Sequence, residues 1–184
     1  MTGVWLRKYQ HLAAQRTAIA HYLHILFGTV AKYPAAQVIE LGTDIGESTT
    51  ALLAAAELTG GHVWSVDVNP ECGFREVYGA IGDGAGPWTF IHGDSTGAAI
   101  AAQVPAAADV LFIDSSHLYD QTCEELRLYL PRVRPGGTVL LHDTNKPGTD
   151  DRVKEALNET LPGFGLTWAE HPGENGLGVI VIPA

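Results

Sequence analysis

Seven side chains of the types that move protons or hold cations fall at one kind of position in this sequence. Glu40, Asp67, Asp94, Asp114 and Asp143 each stand at or just past the end of a short apolar run, and His117 and His142 accompany the last two. Carboxylates accept hydrogen bonds and attract positive charge. They suit a sugar diol, an amino group, a sulfonium or ammonium group, or a hard metal ion. They repel phosphate. No Lys or Arg lies in the stretches after the first and third runs, and Arg75 is the only one soon after the second. A triphosphate or pyrophosphate is therefore a poor guest. Histidine titrates near neutrality and is the common general base. Taken singly, each acid reads as a helix cap or a solvated loop residue. Five in register read as a site.

What must position them is a set of strands. The apolar runs cover 37–41, 62–68, 89–92, 109–114 and 138–143, and helical stretches at 48–58, 70–81, 97–103 and 120–130 separate them. Apolar runs buried on both faces and alternating with helices imply a parallel sheet covered on both sides. In such a sheet the strand ends share one edge, where ligands bind. The tail changes pattern: a helix at 152–161 precedes apolar runs at 166–169 and 178–182, with the turn-forming HPGENG between them, which reads as a hairpin. Before the first strand, Leu6, Tyr9, Leu12, Ile19, Tyr22, Leu23, Ile25 and Leu26 recur at helical spacing. Residues 1–35 are thus an N-terminal helical segment of a single domain spanning 1–184, and the loop at 82–87 (GDGAGP) reads as surface.

Composition narrows the function class. With 21 acidic and 11 basic residues the net charge is −10, which disfavours nucleic acid and anionic membrane surfaces as partners. No apolar run reaches the ~20 residues of a membrane span. The opening MTGVWLRKYQHLAAQ lacks the apolar stretch of a secretory leader, so a cytoplasmic location is expected. Cys72 and Cys123 have no CxxC partner and read as reduced thiols.

The first loop separates cofactors. Glu40-Leu41-Gly42-Thr43-Asp44-Ile45-Gly46-Glu47-Ser48 has glycines four apart. It carries neither the GxGxxG of a dinucleotide site nor the GK[ST] of a P-loop. Gly42 and Gly46 let backbone approach a ligand closely. Ser48 opens a helix whose amides can receive a carboxylate, such as that of the methionine end of S-adenosylmethionine.

The stretches VIELGTDIGESTTALLAAA, VWSVDVNP and FIHGDST resemble the cofactor half of class I S-adenosylmethionine-dependent methyltransferases. The resemblance implies a doubly wound Rossmann-like fold, with a seven-stranded, mostly parallel sheet ending in an antiparallel hairpin. It also implies that Glu40, Gly42, Gly46 and Ser48 line the methionine moiety, that Asp67 holds the ribose hydroxyls, and that Asp94 and Ser95 face adenine, with Asp114 at the same edge.

Residues 109–145, DVLFIDSSHLYDQTCEELRLYLPRVRPGGTVLLHDTN, are similar to the small sugar O-methyltransferases of the macrocin and mycinamicin type. The motifs are Asp114-Ser115-Ser116-His117, a Gly136-Gly137 turn and His142-Asp143. The expected activity is O-methylation of a hydroxyl on a small polar molecule such as a sugar or glycoside. A divalent cation would lower the pKa of that hydroxyl. Asp114 and Asp143 supply hard oxygen ligands suited to magnesium. The chain departs from both known versions of such a site. Mycinamicin-type enzymes place an acid where His142 stands, and catechol-type enzymes follow the final Asp with Asn, where this chain has Thr144. His142 as third ligand would shift preference towards manganese. Alternatively His142 is the base and His117 binds substrate.

Two other functions fit parts of the pattern. One is a non-catalytic S-adenosylmethionine-binding subunit, against which stand the intact Asp114, His117, His142 and Asp143. The other is an NAD-dependent oxidoreductase, disfavoured by the missing third glycine and the lack of a Tyr-Lys pair near the fourth strand. The apolar N-terminal segment also suggests a homodimer, unless Trp5, Leu6, Tyr9, Leu12, Tyr22 and Leu26 pack on their own subunit. His11, His21, His24, His62, His92 and His171 read as structural or exposed, and Trp64 as core.

Overall fold

In a computed structural model, which describes residues 3–72, 77, 86–146 and 152–184, seven strands form one sheet. They are β1 (Gln37–Leu41), β2 (His62–Asp67), β3 (Trp88–His92), β4 (Ala108–Ile113), β5 (Val133–His142), β6 (Ala169–His171) and β7 (Leu177–Val181). Their order across the sheet is β3-β2-β1-β4-β5-β7-β6. The first five are parallel, and β7 runs antiparallel between β5 and β6. This is the doubly wound, Rossmann-like arrangement that the resemblance to class I methyltransferases implied. Sequence order reverses beside β1, between β1 and β4, which is where a doubly wound sheet opens a crevice. Helices α1 (Val4–Leu12), α2 (Leu23–Val30), α3 (Glu47–Thr59), α4 (Ala98–Ala101), α5 (Tyr119–Tyr129) and α6 (Val153–Thr160) cover the faces. The helix expected over 70–81 falls mostly outside the described residues, as do Arg75 and most of the 82–87 loop.

Alternation along the strands divides the core. Val38, Val110, Phe112 and Leu140 face one side, with Trp5, Leu23, Leu26, Leu52 and Leu53. Ile39, Leu41, Leu111, Ile113, Val139 and Leu141 face the other, with Leu126, Tyr129 and Leu157. Trp64 packs against that second cluster, as expected of a core residue. The same parity turns Glu40 towards α3.

Two elements differ from the sequence reading. The Gly136-Gly137 pair lies inside β5, not in a turn before it. Gly136 has φ 77°, and the register against β4 shifts between Ala108 and Val110, so the glycines form a bulge. A Cβ on Gly137 would sit 2.9 Å from Asp109 O, so only glycine fits there without a shift. The hairpin is also displaced. Leu166 and Trp168 pack on the second core without pairing, and β6 begins at Ala169 with all three residues exposed. An exposed edge strand has no apolar alternation to reveal it.

The N-terminal segment spends its apolar side chains inside its own subunit. Trp5, Leu12, Tyr22 and Leu26 are buried, and Tyr9 stacks on Phe27 at 4.7 Å between ring centres. Leu6, the other residue that suggested dimerisation, is half-buried. No helix among the described residues is long and apolar enough to cross a membrane.

Candidate active site

A cavity of about 410 Å³ opens at the carboxyl ends of β1, β2, β3 and β4. Gly42, Asp67, Asp94, Ser95 and Asp114 line it, so five of the sequence-predicted residues meet there. Its wall also includes Val68, Asn69, Cys72, Ser115, Ser116 and Gln121, which the sequence reading did not single out. Cys72 is no nucleophile: burial, with Asp67 beside it, pushes its thiol up to about 12.

Each acid is held differently. Asp67 Oδ2 accepts the Thr43 N–H at 2.8 Å and Oδ1 accepts the Asn69 N–H at 2.9 Å, so the carboxylate also fixes the glycine loop. Asp94 accepts from the Thr96 hydroxyl and N–H, which lower its pKa. Glu40 does not reach the cavity wall. It is fully buried, and Ser48 (2.7 Å), Thr49 (2.8 Å) and Ser65 (2.5 Å) donate their hydroxyls to it. Burial pushes its pKa up to about 7 against those three bonds. The Ser48 hydroxyl is likewise committed to Glu40. Both residues stiffen the base of the loop.

Gly42 has φ 88° and a Cβ there would meet Asp114 O at 2.1 Å. The close approach that needs this glycine is to the β4 loop as well as to the cavity. Gly46, φ 95°, caps α3. Beside the loop a recess of about 50 Å³ is lined by Ile19, Thr43, Glu47, Ser48 and Asp114. The Thr43 hydroxyl is buried there without a hydrogen-bond partner among the described residues.

At the ends of β4 and β5, Asp114, His117, His142 and Asp143 bring ligand atoms within 4.8 Å of one another. His117 Nε2 lies 2.9 Å from Asp114 Oδ1 and 3.5 Å from Asp143 Oδ2. His142 Nδ1 lies 3.1 Å from Asp114 Oδ1 and 3.2 Å from Asp143 Oδ1. Burial alone would raise the pKa of Asp114, but the bonds and charge of the two imidazoles outweigh it and hold the carboxyl at about 2. Asp143 Oδ1 is buried and makes no hydrogen bond among the described residues. An unsatisfied carboxylate oxygen beside two imidazoles and a second carboxylate fits a divalent cation. Lys146 Nζ, 3.1 Å from Asp143 Oδ2, adds a cation that the sequence reading missed. His117 (φ 62°) and Asp143 (φ 59°) both sit in the left-handed region, a strain of about 1–3 kcal/mol each that tends to cluster at functional sites.

The two histidines differ in access. The His142 side chain is 5% exposed and the His117 side chain 18%. His142 packs edge-on to the buried Tyr22 ring at 5.5 Å. Leu118 and Tyr119, which follow His117, line another cavity of about 390 Å³ with Gln121 and Arg152. Gln121 therefore borders both cavities. His62 bonds Thr89 and His92 bonds the Val68 carbonyl, apart from the cluster, whereas His21 and His171 meet the same Tyr22 ring, at 5.1 and 6.2 Å between ring centres.

Residues 39–144 match the model of a family described as a methyltransferase domain. No curated protein matches the sequence. Among solved structures, the chain is similar to the SAH-bound Podospora anserina methyltransferase PaMTH1, at 14% identity and a TM-score of 0.71, covering 100% of this chain and 89% of that one. It is similar to an O-methyltransferase from Bacillus cereus in complex with SAH, at 17% identity and a TM-score of 0.67, covering 97% and 90%. It is also similar to fibrillarin from Aeropyrum pernix with bound S-adenosyl-L-methionine, at 18% identity and a TM-score of 0.64, covering 88% and 74%.

Proposed function

The chain belongs to the methyltransferase-domain family, and from that premise we propose that it is an S-adenosylmethionine-dependent O-methyltransferase, assisted by a divalent metal, that acts on a hydroxyl of a small polar molecule such as a sugar or glycoside. The observation that carries this reading is adjacency. The acid-walled cavity at the strand ends shares Asp114 with the Asp–His cluster, so a cofactor in the one meets an acceptor at the other.

In this reading Asp67 accepts hydrogen bonds from the ribose diol, and Asp94 and Ser95 face the base. Gly42, Gly46 and the α3 amino end receive the methionine end, with Thr43 in the recess beside it. Glu40 and Ser48 hold that loop rigid from below. S-adenosylmethionine, when bound, supplies an electrophilic methyl group on a sulfonium.

Asp114, Asp143 and His142 would hold the cation. Its chemistry there is to lower the pKa of an acceptor hydroxyl and orient it, and magnesium or manganese suits the mixed donor set. His117 is the base because it is the more accessible imidazole. Its Nε2–H is donated to the ionised Asp114, so the lone pair on Nδ1 takes the hydroxyl proton, and Asp114 and Asp143 then stabilise the imidazolium. S-adenosylmethionine would supply its methyl group to the acceptor oxygen and would leave as the neutral thioether. Beyond His117, Tyr119 lines a further cavity with Arg152 stacked on its ring at 4.7 Å and paired with Glu155, a partly aromatic wall suited to a polar, ring-containing acceptor.

Thermal shift and turnover measurements test this reading. S-adenosylhomocysteine should raise the melting temperature and NAD and ATP should not. Methyl transfer from labelled S-adenosylmethionine to a panel of glycosides should require magnesium or manganese. Stabilisation by NAD instead would overturn the assignment, and binding without transfer to any acceptor would favour a non-catalytic subunit.

A further inference from the structure

One buried carboxylate next to the cavity is not used by the chemistry above. Glu125, on α5, is fully buried. Ser95 Oγ donates to its Oε1 at 2.5 Å, Ser115 Oγ donates to its Oε2 at 2.8 Å, and Gln121 Nε2 donates to Oε1 at 3.3 Å. These three donors come from the loops after β3 and β4 and from α5. All three residues line the cavity. Tyr129, one turn further along α5, donates its hydroxyl to the Ser95 carbonyl at 3.0 Å, which holds the same loop. An isolated carboxylate is costly to bury unless its oxygens are hydrogen-bonded, so this cluster is a fixed unit.

The consequence lies in what the donors have left. A hydroxyl has one proton, and a primary amide has a carbonyl oxygen opposite its NH₂. Both serine protons are turned towards Glu125, and the Gln121 amide group is shared between Glu125 and Ser95 Oγ, the latter at 3.4 Å, so the lone pairs of Ser115 Oγ and Gln121 Oε1 and one lone pair of Ser95 Oγ remain for the cavity. Asp94 on the same wall also accepts. That stretch of wall is rich in acceptors, and it is complementary to a ligand group that only donates. We infer that Glu125 is a positioning residue that sets the hydrogen-bond polarity of the cavity wall, so that the site selects a base carrying an exocyclic amino group and rejects one carrying an oxo group. The inference rests on the cofactor reading above and specifies which base the cofactor must carry.

Titration calorimetry with S-adenosylhomocysteine and S-inosylhomocysteine tests it. The two ligands differ in the amino or oxo group and the adjacent ring proton. Sites that leave buried polar groups unpaired against the wrong ligand discriminate strongly, so the wild type should prefer the adenosyl ligand by about 10²-fold or more. Glu125→Gln keeps the shape but brings one donor and one acceptor. It turns one serine proton towards the cavity, and the preference should fall to about 10-fold or less through gain of inosyl affinity as well as loss of adenosyl affinity. A structural role alone would weaken both ligands equally and leave the ratio unchanged, and that result overturns the inference. Glu125→Asp should restore part of the ratio. Should Glu125→Gln fail to fold, Ser115→Ala decides. It removes one acceptor from the wall and should lower adenosyl affinity by about 3–10-fold with inosyl affinity unchanged; an equal loss of both overturns the inference. Binding of both ligands to the wild type with no base preference overturns this inference and leaves the cofactor reading standing. Binding of neither overturns both.

Discussion

Glu40 and Asp114 stand at the ends of neighbouring strands, near the same edge of the sheet; Glu40 is fully buried, and the Asp114 side chain is largely buried, 20% exposed. Their chemistry is opposite. The carboxyl of Glu40 is pushed up to about 7, and that of Asp114 is held at about 2. Desolvation raises both. The difference is what surrounds them. Glu40 meets three neutral hydroxyls, which offset only part of the burial cost. Asp114 meets His117 and His142, which can carry charge. One strand end is built to be rigid, and its neighbour is built to be ionised. Burial therefore does not decide a carboxylate's role in this fold; the charge of its partners does.

The strongest way to break this comparison is to test whether the ionised end holds a cation. EDTA should abolish methyl transfer, and magnesium or manganese should restore it. S-adenosylhomocysteine binding should survive, because the cavity wall at Asp67 and Asp94 is untouched. Full activity in EDTA would mean that Lys146, already paired with Asp143, supplies the positive charge. His117→Ala should lower kcat by about 10²–10⁴-fold, the usual cost of losing a positioned base. His142→Ala should instead weaken metal affinity in a metal titration. The reverse pattern would exchange the two roles.

The pKa contrast also predicts opposite pH slopes in stability, measured by denaturant titration. Glu40 rises from 4.5 to about 7 on folding. The folded state then binds the extra proton between those values, so its contribution is largest below 4.5 and declines as pH rises to 7. The loss is about 3 kcal/mol by linkage. Glu40→Gln should remove that decline. Asp114 falls from 3.8 to about 2, so its contribution is complete above 3.8 and disappears as pH falls towards 2, and Asp114→Asn should remove that acid-side loss. Identical slopes in both variants would contradict the contrast.

The smallest expected effect is at Asp67. Asp67→Asn should cost about 1.5–3 kcal/mol in S-adenosylhomocysteine affinity, the worth of hydrogen bonds to a charged group. Calorimetry showing unchanged affinity would remove Asp67 from the ribose site. Asp67 also holds the Thr43 and Asn69 amides, so the melting temperature of the variant should be read alongside.

Continuous apolar runs, strand-end acids and the spacing of Gly42 and Gly46 were enough to specify the parallel sheet, its crevice and five of the residues that line the cavity. These are local signals, since a strand buried on both faces must be apolar throughout and any acid at its end must stand out. Only the tertiary structure decided three further matters. Glu40 turns inward because its parity along β1 places it on the α3 side, where Ser48, Thr49 and Ser65 receive it. Gln121 lines the cavity and Glu125 is buried behind it, although their neighbours Asp120 and Glu124 lie exposed or half-buried on the same helix; in sequence all read as one acidic stretch. The Asp–His cluster closes because β4 and β5 lie side by side, bringing together residues 25 to 29 positions apart. Strand adjacency, side-chain parity and the facing of a helix are set by packing the whole sheet, and no single stretch of chain encodes them.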